Sequence, residues 1–326
     1  MEMATIKQVA ALAGVSPTTA SYALNNRPEV KQETKDRVLW AAHQLNYIPN
    51  KLAQSFRNKR SMIIDVITNE NIEGHNTFSS ELFGILAGAR EKGYSILITL
   101  SSENDCRNPQ WIANTLGNRF CDGYLVFGNS LDMLIKGIID SEQKGVLLSS
   151  RTDLPFAQIN TDGYHAIEEI VQLAVHSGKR RFAYLGCGFH TKEERLRRKA
   201  FEETVARLGV QNCGVYECGD QCEALGAQMD VCLQKAPDMI VCWNDIVATS
   251  VMTQLRSRSI MVPEKIGVSG MDDIEAAAQY GITTAKQPLF EKGYTAATLL
   301  IQMIEEDCVE IRNINLQCKV VKRTSL

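Results

Sequence analysis

The sequence predicts an α/β protein: a small helical head followed by a body of two parallel-sheet lobes. Three observations carry that prediction. Beyond Ser61, strand-like apolar runs alternate with amphipathic helices, a rhythm that yields parallel strands covered by helices on both faces. About ten such units exceed one sheet of ordinary width, so they divide between two lobes. Before Ser61 the texture differs. Short helical patterns are separated by turn residues, and nine basic against four acidic side chains leave this segment at +5, whereas the remainder of a chain of net charge −3 stands at −8.

A basic head on an acidic body points to a polyanion as the partner of the head. The chain has 326 residues, 44% hydrophobic and 22% charged, the composition of an ordinary soluble globular protein with more than one domain. Residues 1–20 lack the apolar core and small-residue cleavage site of a secretory leader, and no apolar run approaches membrane-spanning length. The expected location is therefore the cytoplasm, where the ten scattered cysteines stay reduced. Cys213, Cys218 and Cys222 cluster, but their spacing is not that of a zinc knuckle and no fourth ligand is near, so neither a metal nor a cofactor is expected.

Catalysis finds little support. "GVSG" at Gly267–Gly270 is not a nucleophile elbow, "GCGF" after "RFAYL" reads as a glycine turn rather than a phosphate loop, and the five histidines form no metal or triad spacing.

In order along the head, Ile6, Val9, Ala10, Leu12 and Ala13 give the first helix its apolar face, and Gly14-Val15 makes a turn. Ser16 is a good N-cap and Pro17 sits at the first helical position, where its missing N–H costs nothing. The second helix runs from about Pro17 to Leu24, with Ala20, Ala23 and Leu24 inward. The third starts near Gln32 with Val38, Leu39, Ala42 and Leu45 at helical spacing, and Pro49 stops it. Asn50 then caps a short fourth helix, "KLAQSFRNK".

In the body, "MIIDVIT", "YSILITL", "GYLVFG", "GVLLSS", "RFAYLG", "MIVCW" and "IGVSG" read as strands. "SSELFGILAGAREKG", "DMLIKGIIDSEQ", "HAIEEIVQLAVHSG", "ERLRRKAFEETVARLG" and "DIVATSVMTQLRSR" read as helices between them.

The second helix is unusual for a core-filling element. Two helices joined by Gly14-Val15-Ser16 form a helix-turn-helix, in which small residues face inward and polar ones outward, toward DNA. Pro17 and Thr18 lie at the end that reaches base edges, and Thr19, Ser21 and Asn25 have short polar side chains suited to phosphates. A three-helix bundle with a protein partner is the alternative on these residues alone.

"TIKQVAALAGVSPTTASYALNN" and "VKQETKDRVLWAAHQLNYIPNKLAQSF" resemble the lactose/galactose repressor family of bacterial transcription regulators. The resemblance implies domains at 1–48 (helix-turn-helix), 49–60 (hinge) and 61–326 (effector binding and dimerisation). It also implies that paired hinge helices enter the minor groove of a near-palindromic operator, where an apolar wedge kinks the duplex. The matching wedge is Phe56 where the family usually has Leu; otherwise Phe56 is the apolar side of a linker helix. Thr5, Ser16, Thr34, Tyr47, Asn50 and Ala53 are further DNA-contacting positions by resemblance. Tyr22 stands where Arg is usual. Arg grips guanine through two hydrogen bonds and Tyr cannot, which implies a shifted operator. Lys31 replaces a capping Ser, weakening the start of the third helix while adding a phosphate contact.

"VPEKIGVSGMDD" and "VCWNDIVATSVM" extend the resemblance into the body, which looks like a periplasmic-binding-protein fold with a ligand between two lobes, roughly 61–161 plus 288–317 and 162–287 plus 318–326. The chain ends "VVKRTSL" without a Leu heptad, implying a homodimer. Effector contacts implied by resemblance or by strand-end position are Phe78, Asn129, Ser150, Arg197, Gln221, Asn244, Asp272 and Gln287. Arg with Asn and Asp suits sugar hydroxyls. Competing roles stand beside each: helix capping for Asp245 and Asp272, a solvated basic face for Arg197, and core packing for Phe78, Phe127 and Trp243. Relatives that respond to sugars carry an Asp where this chain has Ser150-Arg151. The function implied is an effector-controlled repressor, inducer or corepressor alike; the alternative is a sugar-binding protein without a regulatory DNA role.

Overall fold

The computed structural model describes residues 4–47, 60–69, 78–118, 120–128, 131–186, 188, 191–219, 222–309 and 311–326. The chain divides into two units, Met1–Ser61 and Met62–Leu326.

In the first unit, local chemistry sets the bounds of three helices, α1 (Ile6–Ala13), α2 (Pro17–Leu24) and α3 (Gln32–Gln44). Thr5 closes a capping box on α1: its backbone N–H donates to Gln8 Oε1 at 2.7 Å, and Gln8 N–H donates back to the Thr5 hydroxyl. Gly14 ends α1 at φ +67°, a left-handed conformation that a β-carbon disfavours. Ser16 Oγ then accepts Thr19 N–H at 3.0 Å, and Pro17 opens α2. The core of the head is made of small side chains, Val9, Ala10, Ala20, Ala23, Val38 and Ala41, which let the helices approach closely. Lys31 leaves α3 without a side-chain cap. The expected hinge helix lies outside the described residues.

The second unit begins with β1 (Ile63–Asn69), α4 (Phe78–Glu91), β2 (Ser95–Ser101), α5 (Glu103–Cys106), α6 (Pro109–Gly117), β3 (Gly123–Phe127), α7 (Asp132–Asp140), β4 (Gly145–Leu148) and β5 (Ala157–Thr161). It continues with α8 (Gly163–His176), β6 (Arg181–Gly186), α9 (Lys192–Arg207), β7 (Gln211–Glu217), α10 (Leu225–Gln234), β8 (Met239–Cys242), α11 (Asp245–Ser257), β9 (Gly267–Met271), α12 (Glu275–Gln279) and β10 (Thr283–Lys286). Then α13 (Leu289–Glu305) and β11 (Asn313–Leu316) follow, and β12 (Lys319–Val321) is last. The strands form two six-stranded sheets, ordered β11-β5-β4-β3-β1-β2 and β12-β10-β9-β8-β6-β7. All pairings are parallel except β10 with β12. The chain thus passes between the lobes after Thr161, after Lys286 and after Leu316, giving the two α/β lobes of a periplasmic-binding-protein-like fold.

Every strand and helix read from the body sequence is present. Others were not legible. β5 is fully buried yet reads Gln158-Ile159-Asn160-Thr161, because Gln158 satisfies its amide on the Thr152 backbone N–H and carbonyl, at 3.2 and 2.9 Å. The long helix α13 escaped because its first half, "LFEKGYTA", mixes glycine and polar residues. That glycine is structural. Built on Gly293, a β-carbon would lie 2.0 Å from Glu81 O, and on Gly84 of α4 it would lie 2.0 Å from Phe290 O, so α4 and α13 touch backbone to backbone. Together they cover one face of the first sheet through Ile85, Ala89, Ala296, Ala297 and Leu300.

The edge strand β2 carries Leu97, Ile98 and Leu100 exposed, and Phe83, Leu86 and Phe290 are exposed on the two neighbouring helices. This is a band of apolar surface on an open sheet edge.

Gly84→Ala is expected to cost about 2 kcal/mol or more through overpacking against backbone that cannot yield. Gly226→Ala in α10, where an added β-carbon meets nothing within 4 Å, is expected to stabilise by up to about 1 kcal/mol through helix propensity. Chemical denaturation of the two variants checks the opposite signs.

Candidate DNA-reading head and ligand cleft

On the head, Pro17 and Thr18 are exposed in the first turn of α2, and Tyr22 stands one turn further along the same face, also exposed. Thr19 is half-buried and its hydroxyl shares a 2.8 Å hydrogen bond with Ser16 Oγ, so these two side chains hold the helix start together. Asn25 is exposed and spends its amide on Ser21 O at 2.7 Å, terminating α2. Ser21 corrects the sequence expectation. It is only 3% exposed, turned into the head as a small spacer between buried Ala20 and Ala23, and is not placed to meet a phosphate. Thr5 is exposed at the start of α1, Thr34 is half-buried in the first turn of α3, and Tyr47 packs against the head core. Asn50, Ala53 and Phe56 lie outside the described residues.

In the body, the topology explains why the candidate ligand residues come from such distant parts of the chain. In parallel sheets, side chains just beyond the carboxyl ends of strands share one crevice. Ser150 follows β4, Asn244 follows β8, Asp272 follows β9 and Gln287 follows β10, while Phe78 opens the helix after β1. Asn129 and Gln221, expected after β3 and β7, lie outside the described residues.

The structure ties several of these together. The Thr161 hydroxyl, at the end of β5, donates to Gln287 Oε1, and Gln287 Nε2 donates to Asp272 Oδ1 at 2.5 Å. Thr161 and Gln287 are both buried, so this chain of hydrogen bonds crosses from one lobe to the other without solvent. Arg197 on α9 is 5% exposed; it donates through Nη1 to Trp243 O at 3.0 Å and stacks over the Trp243 ring at 4.2 Å. Its Nε is buried with no hydrogen-bond partner among the described residues, which sets Arg197 apart from the solvated neighbours on its helix. Burial pushes the Asp272 carboxyl up to about 6, against the opposing pull of the Arg197 charge, the Gln287 hydrogen bond and Lys292.

Asn244 is the N-cap of α11, its Oδ1 accepting Val247 N–H at 2.9 Å, so part of its polar capacity is structural. Asp245 is not a cap. Fully buried, it accepts Ile274 N–H at 3.0 Å and the Thr284 hydroxyl at 2.7 Å, pinning the loop that carries Asp272. Phe78 is half-buried and meets Phe127 edge to face at 5.4 Å, against the first-lobe core.

Two features escaped the sequence. Lys292 and Glu81 form a buried ion pair at 2.5 Å. The Ser149 hydroxyl bridges them, donating to Glu81 and accepting from Lys292, each at 2.8 Å. The second feature explains Ser150-Arg151. Arg151, from the first lobe, reaches across to Glu193 at the start of α9, and beside it Lys192 of the second lobe pairs with Asp153 of the first at 2.6 Å. Arg151 also donates to Asn315 Oδ1 at 3.0 Å. Arg151 thus serves a cross-lobe ion pair.

Residues 5–50 match the lacI family of bacterial regulatory proteins, and residues 171–326 match a periplasmic-binding-protein-like domain. The HTH-type transcriptional repressor PurR of Vibrio parahaemolyticus is 29% identical over 343 residues, covering 99% of each chain. The PurR repressor of Vibrio cholerae is 28% identical over 99% of this chain and 98% of its own. Among solved structures, the lac repressor dimer bound to operator and the anti-inducer ONPF superposes with a TM-score of 0.86 at 24% identity over 99% of both chains. The transcriptional regulator CelR–cellobiose complex gives 0.73 at 21% identity, over 99% of this chain and 100% of its own.

The pair Arg151–Glu193 is partly shielded, so it is worth more than a surface pair. Arg151→Glu is expected to destabilise the closed body, and Arg151→Glu with Glu193→Arg to recover most of the loss. A double-mutant cycle on melting temperature should yield a coupling of about 1 kcal/mol that shrinks in high salt. A coupling of zero would remove the pair from the set of contacts that hold the lobes together.

Proposed function

We propose that this chain, which joins a lacI-family helix-turn-helix domain to a periplasmic-binding-protein-like domain, is a repressor whose grip on operator DNA is set by a small polar molecule held between its lobes. The match of residues 5–50 to the lacI family supports the DNA-binding role, and the body's own polar groups support the effector reading.

One observation carries the effector reading: Arg197 is buried with its Nε unpartnered among the described residues, within the electrostatic reach of Asp272, and Asp272 heads the hydrogen-bonded chain that links the lobes. A molecule that presents an acceptor to Arg197 and a donor to Asp272 changes the energy of that chain directly. A sugar or sugar derivative does both with adjacent hydroxyls. Its differential affinity for two lobe arrangements shifts their populations by a coupling of typically ~1–3 kcal/mol, in either direction, so inducer and corepressor obey the same physics.

Two copies are needed for a near-palindromic operator. The apolar band of β2, Phe83, Leu86 and Phe290 is the surface we assign to the homodimer. At the DNA, Pro17, Thr18 and Tyr22 form the reading face of α2, with Thr5 and Thr19 beside it; Asn50, Ala53 and Phe56 complete the contact through the hinge.

Operator binding measured against salt is expected to give a steep negative log–log slope, and Tyr22→Arg to redirect base preference toward guanine at one position of each half-site. A flat slope removes the DNA role, and an unchanged preference removes Tyr22 from the reading face. A thermal-shift screen of sugars, phosphorylated sugars, nucleobases and nucleosides is expected to yield a ligand that also changes operator affinity by ~5–150-fold. Nucleobases belong in that screen because the full-length relatives bear the name PurR. A ligand that donates to Asp272 needs the ionised carboxylate, so its affinity is expected to fall as pH drops below about 6, by up to about tenfold per unit. Asp272→Asn is expected to abolish that dependence. A ligand that stabilises the body yet leaves operator affinity untouched defeats the regulatory reading.

A further inference from the structure

The second lobe holds a pair of thiols that neither DNA reading nor effector binding uses. Cys218 follows β7 directly. It is fully buried, and its backbone N–H and its Sγ both point at Gly186 O, each at 2.9 Å, tying the carboxyl end of β7 to that of β6. Four residues on, Cys222 turns back on Cys218. Its φ is +61°, its N–H donates to Gly219 O at 3.2 Å, and Ala224 N–H donates to Cys218 O at 3.0 Å, which holds the backbones at the two cysteines together. The Cys222 thiol lies within hydrogen-bonding reach of the Cys218 thiol and of the Ser250 hydroxyl on α11. Cys218 is shut away from solvent, whereas Cys222 is only partly buried.

We propose that Cys218 and Cys222 are a peroxide-oxidisable dithiol, with Cys222 as the attacking sulfur and Cys218 as the resolving one.

The environment divides the roles. A peroxide in solution can reach Cys222, which is only partly buried, and not Cys218, which is fully buried; in addition the neighbouring Cys218 and Ser250 side chains lower the Cys222 thiol to about 7. Burial does the reverse to the other core thiols, lifting Cys232 to about 12 and Cys121 to about 11. The Cys222 thiolate attacks one oxygen of a hydroperoxide. An S–O bond forms, the O–O bond breaks, and the departing oxygen leaves as hydroxide or alkoxide and takes up a proton. The product is Cys222 sulfenic acid. Cys218 Sγ, giving up its proton, then attacks Cys222 Sγ; the S–S bond forms, the S–O bond breaks, and that oxygen leaves as water. Two thiols have lost two electrons, and one peroxide has gained them. A small-molecule dithiol reverses the step through a mixed disulfide.

The test uses the reduced full-length chain, treated with hydrogen peroxide near stoichiometry, blocked with iodoacetamide and read by intact mass and peptide fragmentation. The expected result is loss of two hydrogens per chain, mapped to a link between Cys218 and Cys222, reversed by dithiothreitol. Cys218→Ser is expected to leave a sulfenic acid at Cys222 that dimedone traps. Cys222→Ser is expected to slow loss of the first thiol by about tenfold or more. The proposal is overturned if wild-type Cys222 gains oxygen without forming the link, if the link joins other cysteines, or if nothing in the chain oxidises before it unfolds. Because the readout is a mass on the wild-type chain, its failure is independent of whether the effector or operator reading holds.

Discussion

The hydrogen-bonded chain Thr161–Gln287–Asp272 is the interaction on which the rest of the body turns. It lies where the polypeptide passes between sheets, and its members are buried polar groups that must find partners or forfeit a large desolvation cost. A third passage is fastened to the first by Asp162 N–H donating to Leu316 O at 2.8 Å. The lobes are thus joined by polar geometry rather than by a shared apolar core, for the core clusters lie within one lobe or the other. A junction of this kind has a few discrete hydrogen-bonding arrangements, and the proposed effector at Asp272 would select among them.

Charge adds a second layer around that junction. Lys292, Glu81 and Ser149 are locked together in the first lobe, and Lys292 and Arg197 both act on Asp272. Further out, the partly shielded Arg151–Glu193 and the more exposed Lys192–Asp153 span the lobes. The inner set resists rearrangement because breaking it strands a buried charge; the outer set yields at small cost. Position thus grades these contacts from fixed scaffold to adjustable contact.

Much of this was legible in the sequence where the determinants are local. Gly14, Ser16 and Pro17 announce their turn and cap because capping involves neighbours within three residues. The alternation of apolar runs with amphipathic helices shows the parallel sheets for the same reason. Long-range partners were not legible. Ser21 looks like an outward polar residue until α1 and α3 are packed around it. Arg151 finds Glu193, and Asp245 finds Thr284, only after folding. β5 stays hidden because its polar Gln158 and Thr161 find their partners, the Thr152 backbone and the Gln287 side chain, only in three dimensions. Ser150, Asn244, Asp272 and Gln287 came from the family resemblance together with strand-end position, and the topology does place all four just beyond strand ends. The orphaned Nε of Arg197 and the buried lysine beside the site needed coordinates.

The apolar band on the β2 edge has a consequence for behaviour at low abundance. Leu97, Ile98 and Leu100 beside Phe83 and Phe290 are costly to keep wet, and covering them is what would stabilise the proposed homodimer against dilution. Once the copies separate, occupancy of a two-armed grip falls with the square of the free-chain concentration. Under the proposed regulatory role, control then responds to the amount of the repressor itself as well as to its effector.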